Sequence, residues 1–155
     1  MMNAVVECAR SWVGTQFHHQ GRTKKIGTFP GGVDCIGLVM GVAKELGIRS
    51  KHYDSSGDRR LLADLDRTDY AMEPNGKLLQ YYMELHLMPV AYHQMQPGDI
   101  MLFRMNKHPQ HAAFFSDIPS GQGMIHAYMR NRQVVEHSLN STWINLIEAV
   151  YRFCS

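Results

Sequence analysis

Cysteine is scarce in this chain: three in 155 residues, Cys8, Cys35 and Cys154, with no C-x-x-C pair. An odd count without paired spacing argues against a disulfide framework and against a cysteine-rich zinc site, and it leaves at least one thiol free. Long apolar runs are missing too. No stretch approaches the roughly 18 residues that a membrane span needs. Charge of one sign does not accumulate either, since 16 basic and 14 acidic side chains leave a formal net charge of +2. That balance is too mild for a nucleic-acid binder, whose footprint is a concentrated basic patch. The small cluster Arg22, Lys24 and Lys25 reads as a solvated loop. The start, "MMNAVVECARSWVG", carries Glu7 and Arg10 within its apolar stretch and has no cationic leader. It predicts synthesis in the cytoplasm without a secretory signal. No internal repeat or low-complexity segment interrupts the chain, and its length suits one domain over residues 1–155.

What is present falls into two halves. Val5, Val6, Ala9, Trp12 and Val13 share one face of a helix predicted over residues 3–13, stopped by Gly14. A glycine-bearing loop follows to residue 33. Cys35, Leu38, Val39, Val42 and Leu46 form the buried stripe of a second helix, about 34–46, with Asp34 as its N-cap and Gly47 as its stop. Gly37 and Gly41 leave one face of it nearly bare, which predicts close approach of another backbone. Residues 48–75 are polar and charged, with room for a short helix near 58–66. A third helix over about 76–87 follows Pro74 and Asn75. After Pro97 the character changes to strands: "GDIMLFRM" (98–105), "HAAFFSD" (111–117), "GMIHAYM" (123–129), "RQVVEHSL" (132–139) and "STWINLIEAVYRF" (141–153). Helices first and consecutive antiparallel strands after them give an α+β fold, with N-terminal helices packed on one face of a C-terminal sheet.

The chemistry centres on "GGVDCIGLV". A thiol at a helix start meets unpaired N–H groups and the positive end of the helix dipole, which stabilise thiolate and predict a lowered pKa. The flanking glycines leave room for a substrate backbone. The competing reading is a small buried residue, since free cysteine is among the most buried types. A thiolate nucleophile needs a base, itself oriented by a third group. His111 opens one strand and His126 lies inside the next, where adjacent antiparallel strands set side chains beside each other. His111 is then the base on Cys35 and His126 its orienter. His126 also reads as a satisfied core histidine, and His108 is the rival base. "HPQH" and "HH" lack the helical H-E-x-x-H spacing, and "GTFPGG" lacks the G-K-[ST] ending of a phosphate loop. Neither a metal nor an organic cofactor is expected.

These stretches resemble a known family. "GVDCIGLV" resembles the D-C-S-G-L-V motif of the NlpC-type cell-wall cysteine peptidases, and "PGDIMLF" their P-G-D-L-V-F-F strand. "HAAFFSD" followed by "GMIHAY" resembles their H-V-G-I-Y-x-G and I-H-A strands, and "WVGTQFHHQGR" their G-T-P-Y-x-x-G-G stretch. The four occur in family order. "HHQGR" with a long loop before the cysteine resembles the phage-encoded subgroup, associated with tails and prophage-like particles. The resemblance implies a papain-like α+β core and hydrolysis of peptide bonds in bacterial peptidoglycan, at the bond from D-glutamate to a diamino acid. It implies Cys35 as nucleophile, His111 as base and His126 as third polar residue, with His19, Gln20, Asp34 and Ile36 near the substrate. It also implies peptidoglycan peptides and phage tail proteins as partners, and a virion-associated site of action in the periplasm or cell wall.

Two departures from the family stand out. Ile36 replaces its serine, and Phe17 replaces its tyrosine, which leaves the Cys35 backbone N–H as an oxyanion donor and His18, His19 and Gln20 as candidate side-chain donors that also read as solvated loop residues. The alternatives are a tail module of the same fold that turns over little, and an acyltransferase on the same thiol–imidazole layout. Arg59, Arg60 and Arg67 are candidates to meet stem-peptide carboxylates.

Overall fold

The structure is a computed structural model and describes residues 2–69, 76–106 and 108–154. Helix α1 (Met2–Arg10) buries Val5, Val6 and Ala9, and the turn after it buries Trp12. The glycine-bearing loop holds a small hairpin of β1 (Arg22–Thr23) and β2 (Gly32–Val33). Helix α2 (Cys35–Leu46) starts where the Asp34 carboxylate accepts the Gly37 N–H at 2.8 Å, and ends at Gly47 with φ 65°.

Both α2 glycines are crowded, by different groups. A Cβ at Gly37 would collide with the Gly21 carbonyl oxygen, a backbone approach as expected. A Cβ at Gly41 would collide with the Trp12 indole, so there the bare face receives a ring instead of a backbone.

The polar stretch after α2 folds as a hairpin of β3 (Arg49–Tyr53) and β4 (Arg59–Leu61), then a 3-10 turn at Leu62–Leu65 in place of the short helix expected near 58–66. Helix α3 (Gly76–His86) follows; Pro74 and Asn75 before it lie outside the described residues. Its successor β5 (Met88–Val90) was not foreseen, because Pro89 argues against a strand. The strand is tolerated at the sheet's edge, where the missing donor breaks no ladder.

The remaining strands are β6 (Ile100–Met105), β7 (His108–Ile118), β8 (Gly121–Tyr128), β9 (Gln133–Ser138) and β10 (Ile147–Arg152). With β5 they form one antiparallel sheet in the order β5-β10-β6-β7-β8-β9. The run expected as one strand over 141–153 begins instead with a helical turn, α4 (Ser141–Ile144), capped by Asn140 on the Trp143 N–H. Asp99 of "PGD" is fully buried and takes both Nε and Nη2 of Arg152, at 2.7 and 2.9 Å, clamping β6 to β10.

One face of the sheet packs on the N-terminal helices, as expected, and the other is covered as well. Ile100, Leu102, Ala112, Phe114, Ile125, Ala127 and Val134 meet α1 and α2 on the first face. Met101, Phe103, Ala113, Phe115 and Met124 form the second face, closed by Trp143, Ile144 and Leu146 from the α4 turn. The alternation along each strand sorts the side chains between them.

Candidate active site

Cys35 is the first residue of α2 and is only 8% exposed. The backbone N–H groups of Ala112 and Ile36 point at its sulfur. Ala112 follows His111 on β7. The β7–β8 ladder runs from Ile118–Gly121 to Phe114–Ile125 and stops there, so beyond Phe114 the two strands form an open fork. The Ala112 N–H is thus spared for the thiol, and the start of α2 reaches the fork. No hydrogen bond joins the sulfur to His111 among the described residues; the sulfur meets the N–H of Ala112, the residue after His111 on β7.

The helix start was expected to lower the thiol pKa. Burial outweighs it: desolvation, then the neighbouring Asp34 carboxylate, push Cys35 up to about 12, against the pull of the Ala112 and Ile36 N–H groups and Arg22. The thiol is neutral at rest.

At the same fork three imidazoles form a chain. His111 Nε2 lies 2.7 Å from His126 Nδ1, and His126 Nε2 lies 2.8 Å from His137 Nε2. His137 Nδ1 donates to the Ser138 carbonyl at 2.9 Å. His126 alternates with Ile125 and Ala127 and so faces away from the helices. His137 stands opposite Met124 in the β8–β9 register, on that same face. Trp143 contacts all three rings, at centroid distances of 6.0, 5.2 and 6.2 Å, and Tyr128 stacks on His126 at 4.9 Å. Burial lowers His111 to about 4. It also lowers His126, to about 2, with the neighbouring His111 and His137 adding to the shift.

Sequence reasoning missed His137, although it stands in "RQVVEHSL". The available signal was its place on the strand beside His126, but a histidine at a strand end has no distinguishing neighbour. The side chain of His108, the rival base, lies outside the described residues.

Asp34 does more than cap. Its Oδ2 accepts the Gln20 N–H at 2.8 Å, and its Oδ1 meets Arg22 Nη1 at 3.2 Å. It is 5% exposed and acts as a clasp between the loop and α2. Arg22 also binds Asp66 through Nε at 2.7 Å, and Lys24 binds Glu45 at 3.0 Å. The cluster read as a solvated loop therefore holds three ion pairs, because the carboxylates that answer it come from other segments of the chain.

Gln20 sits at φ 61°, turning the chain toward Asp34. His19 and Gln20 are half-buried, and His18 is exposed with its Nδ1–H donated to the His19 carbonyl at 2.8 Å. Phe17 donates its N–H to the Arg132 carbonyl. Residues 14–18 run between two partners. Gly14 and Phe17 donate to Val134 and Arg132 at 2.9 and 2.8 Å, while Val33 donates to Gln16 and His18 donates to Val33 at 2.9 and 3.0 Å. Arg67 is committed to Asp69 and Tyr82, and Arg59 to the Ser50 carbonyl, which leaves Arg60 exposed.

A largely apolar cavity of about 180 Å³ opens between α2, the 3-10 turn and α3. Ile36 and Ala112 line it on the Cys35 side, with Val39, Leu62, Leu79 and Met83 deeper in. Among the described residues, no group of histidine, cysteine and carboxylate side chains has the geometry to hold a metal ion. No helix among them is long and apolar enough to cross a membrane.

Solved structures with this fold include an NlpC/P60 family protein from Bacillus cereus, at 17% identity and a TM-score of 0.61, covering 100% of this chain and 41% of that one. An N-acetylmuramoyl-L-alanine amidase from Bacteroides uniformis matches at 13% identity and a TM-score of 0.54, covering 97% of this chain and 99% of that one. The peptidoglycan hydrolase RipB from Mycobacterium tuberculosis matches at 17% identity and a TM-score of 0.57, covering 99% of this chain and 65% of that one. The chain spans about two fifths of the Bacillus cereus protein. No curated protein matches its sequence. The model of the NlpC/P60 family matches residues 14–150, nearly the whole length and both sides of the fork, and the chain belongs to that family.

Proposed function

We propose that this chain hydrolyses amide bonds in bacterial peptidoglycan, with Cys35 as nucleophile, His111 as base and His126 as the group that orients the base. The observation that carries the reading is the convergence of a helix-start thiol and a hydrogen-bonded imidazole pair at one strand fork. His111 uses Nε2 on His126, and its Nδ1 has no hydrogen-bond partner among the described residues. That nitrogen takes the thiol proton as the sulfur attacks the amide carbonyl. Because thiol and imidazole are both neutral at rest, proton transfer accompanies attack and does not precede it. The Cys35 N–H, first in α2 and without an intrahelical acceptor, is the oxyanion donor. The imidazolium returns its proton to the leaving amine, giving a thioester and a free amine. Water, deprotonated by the same nitrogen, then attacks the thioester and restores the thiol.

We assign the γ-D-glutamyl–diamino acid bond as the target from the motif resemblance, and a phage tail as the carrier from the "HHQGR" stretch. Purified peptidoglycan digested by the protein should release new amino groups, and Cys35→Ala should release none. Mass spectrometry identifies the bond: new amino termini on a diamino acid support it, and on L-alanine they point to amidase cleavage instead. Sedimentation of the protein with virions tests the carrier.

Acyl transfer is the second reading, favoured by the apolar cavity beside Ile36, which suits an aliphatic chain better than a stem peptide. An amine added to the same assay separates the two: capture of the acyl group by the amine in preference to water supports transfer.

A further inference from the structure

When all three rings are neutral, three contacts, one of them to a carbonyl, determine where every proton in the imidazole chain resides. A carbonyl oxygen only accepts, so His137 carries its proton on Nδ1, facing Ser138. A neutral ring has one N–H, so His137 Nε2 is an acceptor. His126 must then donate from Nε2, which leaves its Nδ1 as an acceptor. His111 must donate from Nε2 to that nitrogen, which leaves its Nδ1 bare. The backbone oxygen of Ser138 thereby sets the tautomer of a ring two imidazoles away.

We infer that His137 is a positioning residue: anchored on the Ser138 carbonyl, it polarises the chain so that His111 is left with an unprotonated Nδ1, the nitrogen that its contact with His126 does not use. This rests on the hydrolase reading for its catalytic meaning, though not for its proton assignments. A pair made of His111 and His126 alone has no direction. Either ring can donate to the other, and in one of the two arrangements His111 carries its proton on Nδ1 and cannot act as a base. The third ring removes that choice. Trp143, in contact with all three rings, and Tyr128, stacked on His126, hold the rings in place, so the order is not easily scrambled by a ring flip.

The test reads the protons directly. Two-bond proton–nitrogen correlation spectra of the nitrogen-15-labelled wild-type protein at neutral pH report the tautomer of each histidine. The expected result is Nε2–H at His111 and His126 and Nδ1–H at His137. Nδ1–H at His111, or Nε2–H at His137, overturns the inference whether or not the protein cleaves peptidoglycan.

Variants add the functional arm. His137→Leu should leave the amide spectrum folded, give His126 mixed tautomers, and lower kcat about tenfold or more with KM within about twofold, as for a lost orienting partner. His137→Gln keeps an acceptor for His126 and should restore most of kcat. Wild-type kcat in His137→Leu overturns the positioning role. Correct tautomers in a wild-type protein that leaves peptidoglycan intact would retain the proton order and reject the hydrolase reading alone.

Discussion

The Cys35 sulfur faces the backbone N–H of Ala112, the residue next to His111, across the end of the β7–β8 ladder. Helix and sheet meet there at one N–H that the ladder does not use. Several measurable outcomes depend on this junction.

Thiol reactivity should be low. Raising Cys35 from 9.0 to about 12 lowers its thiolate fraction about a thousandfold at neutral pH. In the native protein at pH 7, Cys35 should react with iodoacetamide at least a hundredfold more slowly than in urea, followed by peptide mass spectrometry. Faster labelling than in urea would show a preformed thiolate and reverse the order of proton transfer and attack.

The acid limb of the kcat/KM profile should lie near pH 4 and not near 6.5, because burial holds His111 neutral to about 4. The limb belongs to the coupled rings as a set. Stability follows with a definite sign. Between 6.5 and about 4 the unfolded chain takes up protons that the buried rings refuse, so stability falls as pH falls through that window. Urea midpoints measured from pH 7 to pH 4 check this.

Asp34→Ala should destabilise more than the loss of a helix cap alone. The carboxylate serves the Gly37 N–H, the Gln20 N–H and Arg22 together. Roughly 2–4 kcal/mol is expected against about 1 kcal/mol for a cap. Thermal unfolding compared with Asn140→Ala, a cap whose side chain receives only the Trp143 N–H, gives the contrast.

Gly37→Ala tests the close approach. Helix propensity by itself predicts a gain of about 1 kcal/mol. The collision with the Gly21 carbonyl predicts a loss of roughly 2 kcal/mol or more, because backbone must move. The sign of the change in urea midpoint decides.

Helices α1, α2 and α3 and four of the sheet's strands were legible because each carries its own period: Val5, Val6 and Ala9 on α1, and alternating Ile125, His126 and Ala127 on β8. The cap at Asp34 and the stop at Gly47 were legible from local chemistry alone. What escaped depends on distant partners. Arg22 looks like a loop cation until Asp66, 44 residues away, is folded against it. The Cys35 pKa was misjudged because a helix start is visible in sequence, whereas the depth at which it is buried is not. His137 was overlooked because its role exists only through His126 and a carbonyl, and backbone oxygens leave no mark in a sequence.

Residues 14–18 have one further consequence. They are hydrogen-bonded to the outermost strand on one side and to Val33, two positions before the thiol, on the other. The strand that bears the last imidazole and the segment leading into the Cys35 helix are therefore tied by a common strap, so that the sheet's rim and the start of α2 share one support. The strap's anchors lie outside the exposed tip at Ile26 and Phe29. A single backbone cut at that tip would leave both anchors fastened, whereas peeling the rim strand would unfasten one of them.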